Sequence, residues 1–375
     1  MDKFIIRSED LKDVCSKILT AVDSTELSLV TETLELKAEN DVLTVGVTNR
    51  EYFAEVKLKL EEVQDFHATV NATLFLKLVS QITTDTIELS VVDNSLVVRG
   101  NGTYKLPLIF DGEKLLELPR IDIENVTAEF TVSADILNSI LQYNSKQLVQ
   151  GTISKPVQKL YYVDELGAIT FTNGACVNSF SLEQPIKVLF NNRLVKLFKL
   201  FKDGNVKFTL GYDSISDEII QTKVKFETPV VTIVAILSCD DTLLGSVPVS
   251  AIRGRANANY PHSVNINKSA LIQTINRLAL FNIGETFSKP YGTFEFNKDA
   301  MIVWDSNKEN CETLYYDNEV TSLTESYSAT FNLSDMKTTL ETCVEPYLCM
   351  SFGDGSAMVL SRGSVKNVIP EVKLV

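Results

Sequence analysis

Phe4-Ile5-Ile6-Arg7-Ser8-Glu9-Asp10-Leu11 joins a short alternating strand to the first turn of an amphipathic helix that runs to about Val22. The same order returns at Glu129-Phe130-Thr131-Val132 with Ser133-Ala134-Asp135-Ile136, and at Ser263-Val264-Asn265-Ile266 with Asn267-Lys268-Ser269-Ala270-Leu271. Ser8, Ser133 and Asn267 are residue types whose side chains accept hydrogen bonds from the free amides of a helix start. They stand 125 and 134 residues apart in a chain of 375, which divides it into thirds. Each third holds a second helical segment: Asn71 to Thr83, Asn191 to Lys202, and Ser334 to Cys343.

Elsewhere the pattern has period two, the signature of a half-buried strand. Thr86-Ile87-Glu88-Leu89-Ser90-Val91-Val92, the turn pair Asp93-Asn94, and Ser95-Leu96-Val97-Val98-Arg99 predict a hairpin. Lys207 to Leu210, Lys223 to Phe226, Thr293 to Phe296 and Ala357 to Leu360 alternate likewise, and Pro229 to Ser238 reads as a buried strand. The predicted fold class is α+β: three similar β-rich domains, each with two helices packed on a sheet. Boundaries are expected near Pro- or Gly-containing polar stretches, giving domains 1–122, 123–255 and 256–375.

The composition, 45% hydrophobic and 22% charged, is that of a globular protein. No run approaches the roughly 18 apolar residues of a membrane span. The N-terminus lacks the apolar core of a signal peptide, so the expected location is the cytoplasm. The six cysteines form no CxxC and predict plain thiols. Asn-x-Ser/Thr triplets at Asn71, Asn101, Asn125 and Asn332 carry no glycosylation meaning without a secretory signal. His67 and His262 have no neighbour completing a nucleophile–base pair and are expected in loops or at the surface. Asp240-Asp241 and Asp354, in a Gly-Asp-Gly turn, are expected in solvated loops. Phosphate-binding loops, nucleophile elbows and zinc motifs are missing. The expectation is a non-enzyme with no catalytic residue, no metal and no cofactor.

The net charge of −14 argues against nucleic acid when averaged over the chain. The average conceals a segregation. The six helical segments hold eleven basic residues: Lys12, Lys17, Lys77, Lys146, Arg193, Lys196, Lys199, Lys202, Lys268, Arg277 and Lys337. They hold six acidic ones, a surplus of +5 that leaves −19 on the rest. In Asn192-Arg193-Leu194-Val195-Lys196-Leu197-Phe198-Lys199-Leu200-Phe201-Lys202, Leu194, Leu197, Phe198 and Phe201 share one face. Lys196, Lys199 and Lys202 share the opposite one. Cationic helices on an anionic protein predict contact with phosphate backbone through one surface, without sequence preference.

Lys155-Pro156-Val157-Gln158-Lys159-Leu160-Tyr161-Tyr162, followed by Gly167-Ala168-Ile169-Thr170-Phe171-Thr172-Asn173-Gly174, precedes this basic helix. The order is similar to the middle domain of the bacterial and phage sliding clamp, the beta subunit of the replicative DNA polymerase. Tyr260-Pro261 resembles that family's aromatic-Pro pair at the start of the third domain, and Val368-Ile369-Pro370 its Val-Met-Pro near the C-terminus. The resemblance covers essentially the whole chain. It implies that each chain forms half of a ring (the DNA clamp fold), closed as a head-to-tail homodimer. Such a ring encircles duplex DNA, is placed by a clamp loader and tethers the replicative polymerase without catalysis.

It further implies a hydrophobic pocket for linear partner peptides, lined by Thr172, Gly174, Val177, Pro261, Val368, Ile369 and Pro370. Ala175-Cys176-Val177 stands where bacterial clamps usually carry His-Arg-Leu. The end reads Glu371-Val372-Lys373-Leu374-Val375 instead of a short Met-Arg-Leu. Both departures point to a phage-type clamp with its own partner peptide, acting in the host cytoplasm.

Size arithmetic permits the ring. A 125-residue globule is about 35 Å across, and six in a hexagon leave a hole of about that width. Duplex DNA, about 20 Å wide, passes through with water to spare. Two copies joined by two identical contacts supply six globules. The alternative is a β-rich, acidic, non-enzymatic phage structural or assembly protein. A carboxylate hydrolase is a third reading, since 49 acidic residues always permit a suitable pair.

Overall fold

Alternation in the first strand is realised directly: in Lys3–Arg7, Phe4 and Ile6 are buried while Ile5 faces out. A computed structural model describes residues 3–22, 28–60, 65–148, 155–216, 219–281, 290–317, 323 and 325–373. Leu374 and Val375, the end of the tail read above, lie outside the described residues. Side chains are described outside 215–219.

The chain separates into two units, Met1–Asn138 with Arg193–Ser238, and Ser139–Asn192 with Cys239–Val375. The first holds an antiparallel sheet of eight strands in the order Asn125–Ser133, Asn205–Ser216, Ile219–Glu227, Val231–Ile236, Tyr52–Lys59, Val42–Thr48, Thr33–Glu39, Phe66–Asn71. A four-stranded sheet runs Lys3–Arg7, Thr86–Val92, Ser95–Arg99, Thr103–Pro107. The first unit adds a two-stranded hairpin, Phe110–Asp111 with Lys114–Leu115; the second unit repeats the two larger sheets. Its eight strands are ordered Lys187–Asn191, Leu160–Asp164, Gly167–Phe171, Ala175–Ser179, Val365–Pro370, Ala357–Arg362, Tyr347–Phe352, His262–Asn267. Its four are ordered Cys311–Tyr315, Ala300–Trp304, Tyr291–Phe296, Tyr327–Asn332.

The middle third of the sequence divides its strands between the two large sheets. Val231–Ile236 pairs with Tyr52–Lys59, placing Ile233 against Ala54, and Ala175–Ser179 pairs with Val365–Pro370, placing Ala175 against Val368.

All six predicted helical segments are helical. They are α1 (Ser8–Ile18, extended by a tight turn Leu19–Ala21), α2 (Ala72–Gln81), α3 (Ala134–Ser139, continuing with a wider turn to Asn144 and a tighter one to Gln147) and α4 (Asn192–Lys196, tightening over Leu197–Leu200). Two short helices that the sequence reading did not foresee follow, α5 (Asp241–Gly245) and α6 (Val249–Ala256). The last two are α7 (Lys268–Leu278) and α8 (Leu333–Glu341).

A shared tether fixes five of these helices to the strands. The first amide of each donates to a carbonyl distant in sequence: Ser8 to Asp85, Ala72 to Glu32, Ala134 to Gly204, Lys268 to Pro346 and Leu333 to Pro290, all at 2.8 or 2.9 Å. Each satisfies one of the amides a helix start leaves open. Asn71, Asn267 and Asn332 satisfy another, accepting from the amides of Leu74, Ala270 and Asp335 at 2.9 to 3.0 Å. Each of these three asparagines opens an Asn-x-Ser/Thr triplet, so three such triplets serve as caps. Ser133 accepts from Ile136 at 3.3 Å. Ser8 departs from expectation: it is already helical and buried, and its hydroxyl has no partner among the described residues.

Helix faces that the 3.6-residue period marks as apolar are buried, including Leu11, Val14, Cys15 and Ile18 of α1 and Leu194, Leu197 and Phe198 of α4. Phe198 meets Phe226 edge-on at 5.0 Å, and Phe226 meets Phe208 at 5.3 Å, within the geometry aromatic pairs prefer. The six cysteines are free, and burial pushes the thiols of Cys15 and Cys176 up to about 12. The histidine expectation is overturned. Both lie half-buried in strands, His67 with its Nε2 at 3.1 Å from Glu35 and His262 beside the rings of Tyr327 and Phe352. Asp240 accepts the Leu243 amide at 2.7 Å and so caps α5. No helix among the described residues is long and apolar enough to cross a membrane.

Candidate functional site

Three helices of the first unit form a contiguous row: α1 packs on α2, and the turn after α1 meets the Leu197–Leu200 turn of α4. Because their apolar faces are spent on the core, the polar faces are left for solvent. Lys77, Lys196, Lys199 and Lys202 are exposed and Lys12 is half-exposed. Among the described residues, none of these five ammonium groups has an ion-pair or hydrogen-bond partner. Two basic side chains of the same helices are tied. Lys17 lies 2.5 Å from Asp13, and Arg193 lies 3.4 Å from Glu51.

The second unit distributes its charge differently. Lys146 is exposed and has no ion-pair or hydrogen-bond partner among the described residues. Lys268 donates to the Cys343 carbonyl at 2.8 Å, and Lys337 lies 4.0 Å from Glu341. Arg277 donates from Nε and Nη2 to the two carboxylate oxygens of Glu312, both at 2.6 Å. The Arg277 hydrogen bonds hold the Glu312 carboxyl below its ordinary range, against a smaller opposing effect of burial. The charge bias of the helices is therefore real but uneven, with most of the untied cations on α1, α2 and α4.

A cavity of about 460 Å³ in the first unit is lined by Phe53, Arg120, Val126 and alternating acidic and basic side chains. Its charges are largely matched by neighbours, as in Lys207–Glu129 at 3.0 Å and Lys225–Glu227 at 2.9 Å.

The second unit contains a more apolar cavity of about 360 Å³, within the usual range for ligand sites. Strand ends supply Phe171 to Ala175 on one side and Ser356, Ala357, Val368 and Pro370 on another; Pro248, Ala251, Ile252 and Arg255 close it from α6. Gly174 belongs there for a steric reason. A Cβ on it would lie 2.6 Å from the Val368 carbonyl oxygen, so no other residue lets the strands approach this closely.

Helix α6 is held over the cavity by an ion pair. Arg253 donates from Nη1 and Nη2 to the two oxygens of buried Asp164 at 2.7 and 2.6 Å. Burial by itself pushes the Asp164 carboxyl up, but the Arg253 hydrogen bonds, the Leu166 amide and the guanidinium charge outweigh it. The net shift is downward.

Of the residues expected in the pocket, Thr172, Gly174, Val368 and Pro370 line the cavity. Val177 and Ile369 do not: Val177 is on the same strand face as Ala175 but lies further along, in the core that Ala175 and Val368 share, while strand alternation turns Ile369 away from its cavity-lining neighbours Val368 and Pro370 into another core. Pro261 is exposed and sits beside Gly353. The α6 wall escaped the sequence reading. Its one signal was Pro248 ahead of a short run free of helix breakers other than Gly254.

With this geometry in place, the chain can be compared with known proteins. The family model for the DNA polymerase III beta subunit, N-terminal domain, matches residues 2–118. The beta sliding clamp of Mycoplasmopsis pulmonis is 29% identical over 123 residues, 32% of this chain and 31% of that protein. The beta sliding clamp of Helicobacter pylori is 23% identical over 214 residues, 54% of this chain and 57% of that protein. The matched stretches thus span about a third and just over half of these curated relatives.

Among solved structures, the Pseudomonas aeruginosa sliding clamp bound to griselimycin matches with a TM-score of 0.81 at 14% identity, covering 100% of both chains. The Bacillus subtilis DNA polymerase sliding clamp matches with a TM-score of 0.78 at 15% identity and the same coverage. At such identities the structural matches establish the fold of the whole chain.

Proposed function

We propose that this chain, a bacterial-type sliding clamp by the family match of residues 2–118 and by the fold of its full length, serves as a DNA polymerase processivity factor. In this reading a head-to-tail homodimer closes around duplex DNA in the cytoplasm. A clamp loader and the replicative polymerase both engage it through the cavity at Gly174. The division into domains 1–122, 123–255 and 256–375 belongs to the same reading, as does the lack of catalysis.

The observation that carries it is a set of five lysines, on α1, on α2 and on and just beyond α4, that lack partners among the described residues of a chain of net charge −14. Flexible ammonium groups without fixed acceptors suit water-mediated, register-free contact with phosphates, which holds DNA without favouring any position along it. An acidic remainder repels DNA from other surfaces. Retention by enclosure needs little affinity.

Ring closure has support in the strand edges. Thr103–Pro107 ends the four-stranded sheet of the first unit and Cys311–Tyr315 ends that of the second, each with one side unpaired among the described residues. Such edges recruit another chain unless they are blocked. Imaging of the particle by negative-stain electron microscopy tests the reading. An annulus with an opening of about 35 Å is expected, and a solid particle would defeat it.

A further inference from the structure

We infer that the cavity at Gly174 takes a linear peptide bearing an acidic side chain, whose carboxylate is received by Arg255; this rests on the peptide-binding reading proposed above. Arg255 is the one charged side chain lining the cavity among the described residues. The rest of the wall, with Phe171, Ile252, Val368 and Pro370, is mainly apolar. An apolar wall provides contact area but little direction, and a few placed polar groups fix the orientation of a ligand.

Arg255 is placed. Its Nη1 donates to the Ser356 hydroxyl. That hydroxyl donates onward to Asp354 at 2.6 Å, and the other Asp354 oxygen accepts the amides of Ser356 and Ala357 at 2.9 and 3.1 Å. The Tyr260 hydroxyl donates to the Arg255 carbonyl at 3.0 Å and fixes the backbone where α6 ends. Asp354 does not close the guanidinium fork, since its nearer oxygen is 4.0 Å away, beyond hydrogen-bond range. The remaining guanidinium nitrogens have no partner among the described residues, and the side chain is 53% exposed. A half-open planar fork at the rim of an apolar cavity matches a carboxylate, which it can bind through two parallel hydrogen bonds.

The test uses amide-capped, fluorescein-labelled hexapeptides with Leu or Phe at two positions and Asp, Asn or Ala walked through the others. Binding to the full chain is read by fluorescence anisotropy. At one position the Asp peptide is expected to bind about tenfold more tightly than its Asn counterpart, the effect of one partly exposed charge-assisted pair. In Arg255→Ala that preference disappears while the Asn peptide changes less than about twofold, and Arg255→Lys retains part of it. Equal affinity of Asp and Asn peptides for the unmodified chain, or a preference that survives Arg255→Ala, overturns the role of Arg255 and leaves the pocket standing. Binding by no peptide, or binding that persists when Ala251→Trp fills the cavity, overturns both.

Discussion

Arg253 and Asp164 join two parts of the second unit that the sequence separates widely: the guanidinium of α6 grips the end of the Leu160–Asp164 strand through bonds of 2.7 and 2.6 Å. The Asp164 side chain is 5% exposed and that of Arg253 19%. Removing one partner strands the other's charge in a poorly solvated place, which costs about 3 kcal/mol at the lower end of the range for buried pairs. Arg253→Met is expected to lose that much in urea unfolding and to weaken peptide binding at the cavity, because α6 forms its wall.

The same pair predicts a pH dependence. The folded-state pKa of Asp164 lies below its ordinary value, so its stabilising contribution is complete above about pH 3.9 and is lost as pH falls through the depressed value. In Arg253→Met only burial and weaker bonds act, the carboxyl shifts upward, and acidification no longer removes stability through this group. The stability gap between the two proteins should therefore be widest near neutral pH and shrink below about pH 4. A gap that stays constant from pH 7 to pH 3 would show that the pair is not the source.

Gly174→Ala drives a methyl group to 2.6 Å from the Val368 carbonyl, a backbone atom that cannot swing aside. Forced overpacking of this kind costs about 1–3 kcal/mol. The expected result is a lower unfolding midpoint with reduced peptide binding. Gly254→Ala in α6 is the control, since an added methyl there meets nothing within 4 Å. In a helix interior the exchange should stabilise by about 0.5–1 kcal/mol. Equal effects at both positions would remove the steric argument.

What could be read in advance followed from local physics. Caps and 3.6-residue spacing depend on residues a few positions apart, so α1, α2, α4, α7 and α8 were legible, and Asp93-Asn94 announced its hairpin. Partner choice between strands was not. The apolar run Pro229 to Ser238 signals a buried strand but is silent on Tyr52–Lys59 as its neighbour. Ser8 shows the limit of cap chemistry, for the bond to Asp85 holds its helix start in place. The α6 wall was missed because its only buried residue is Ala256, so no apolar stripe marks it, and a distant carboxylate fixes its position. Of the seven residues expected in the pocket by resemblance, Thr172, Gly174, Val368 and Pro370 line this cavity, whereas a family position does not say which way Ile369 points in its strand or how far along its strand Val177 sits.

The uneven charge distribution predicts uneven consequences. Lys196→Glu with Lys199→Glu removes two untied cations and adds two anions on a helix with no acidic residue. Filter-binding to duplex DNA at low salt should fall about tenfold or more, with the slope against log salt reduced by roughly two. Arg277→Gln should change binding less than about twofold, since Glu312 already occupies that guanidinium. A larger loss from Arg277→Gln than from the double variant would place the phosphates on the other unit.

Dimer formation can be tested at the second unit's open edge. Helix α7 packs against the Cys311–Tyr315 strand, and Leu280, Phe281 and Tyr315, which follow or end these elements, are 63%, 54% and 77% exposed. Three large apolar side chains left in water beside a strand edge that is unpaired among the described residues are costly in a monomer, and covering them would supply the association energy that an edge-to-edge contact needs. Equilibrium sedimentation of the unmodified chain should give twice 41.7 kDa. With Leu280→Asp and Phe281→Asp the charges cannot be buried without partners, so the mass should fall to 41.7 kDa at micromolar concentration with the fold retained by circular dichroism. A double variant that stays dimeric would locate the contact at another surface and rule this edge out of it.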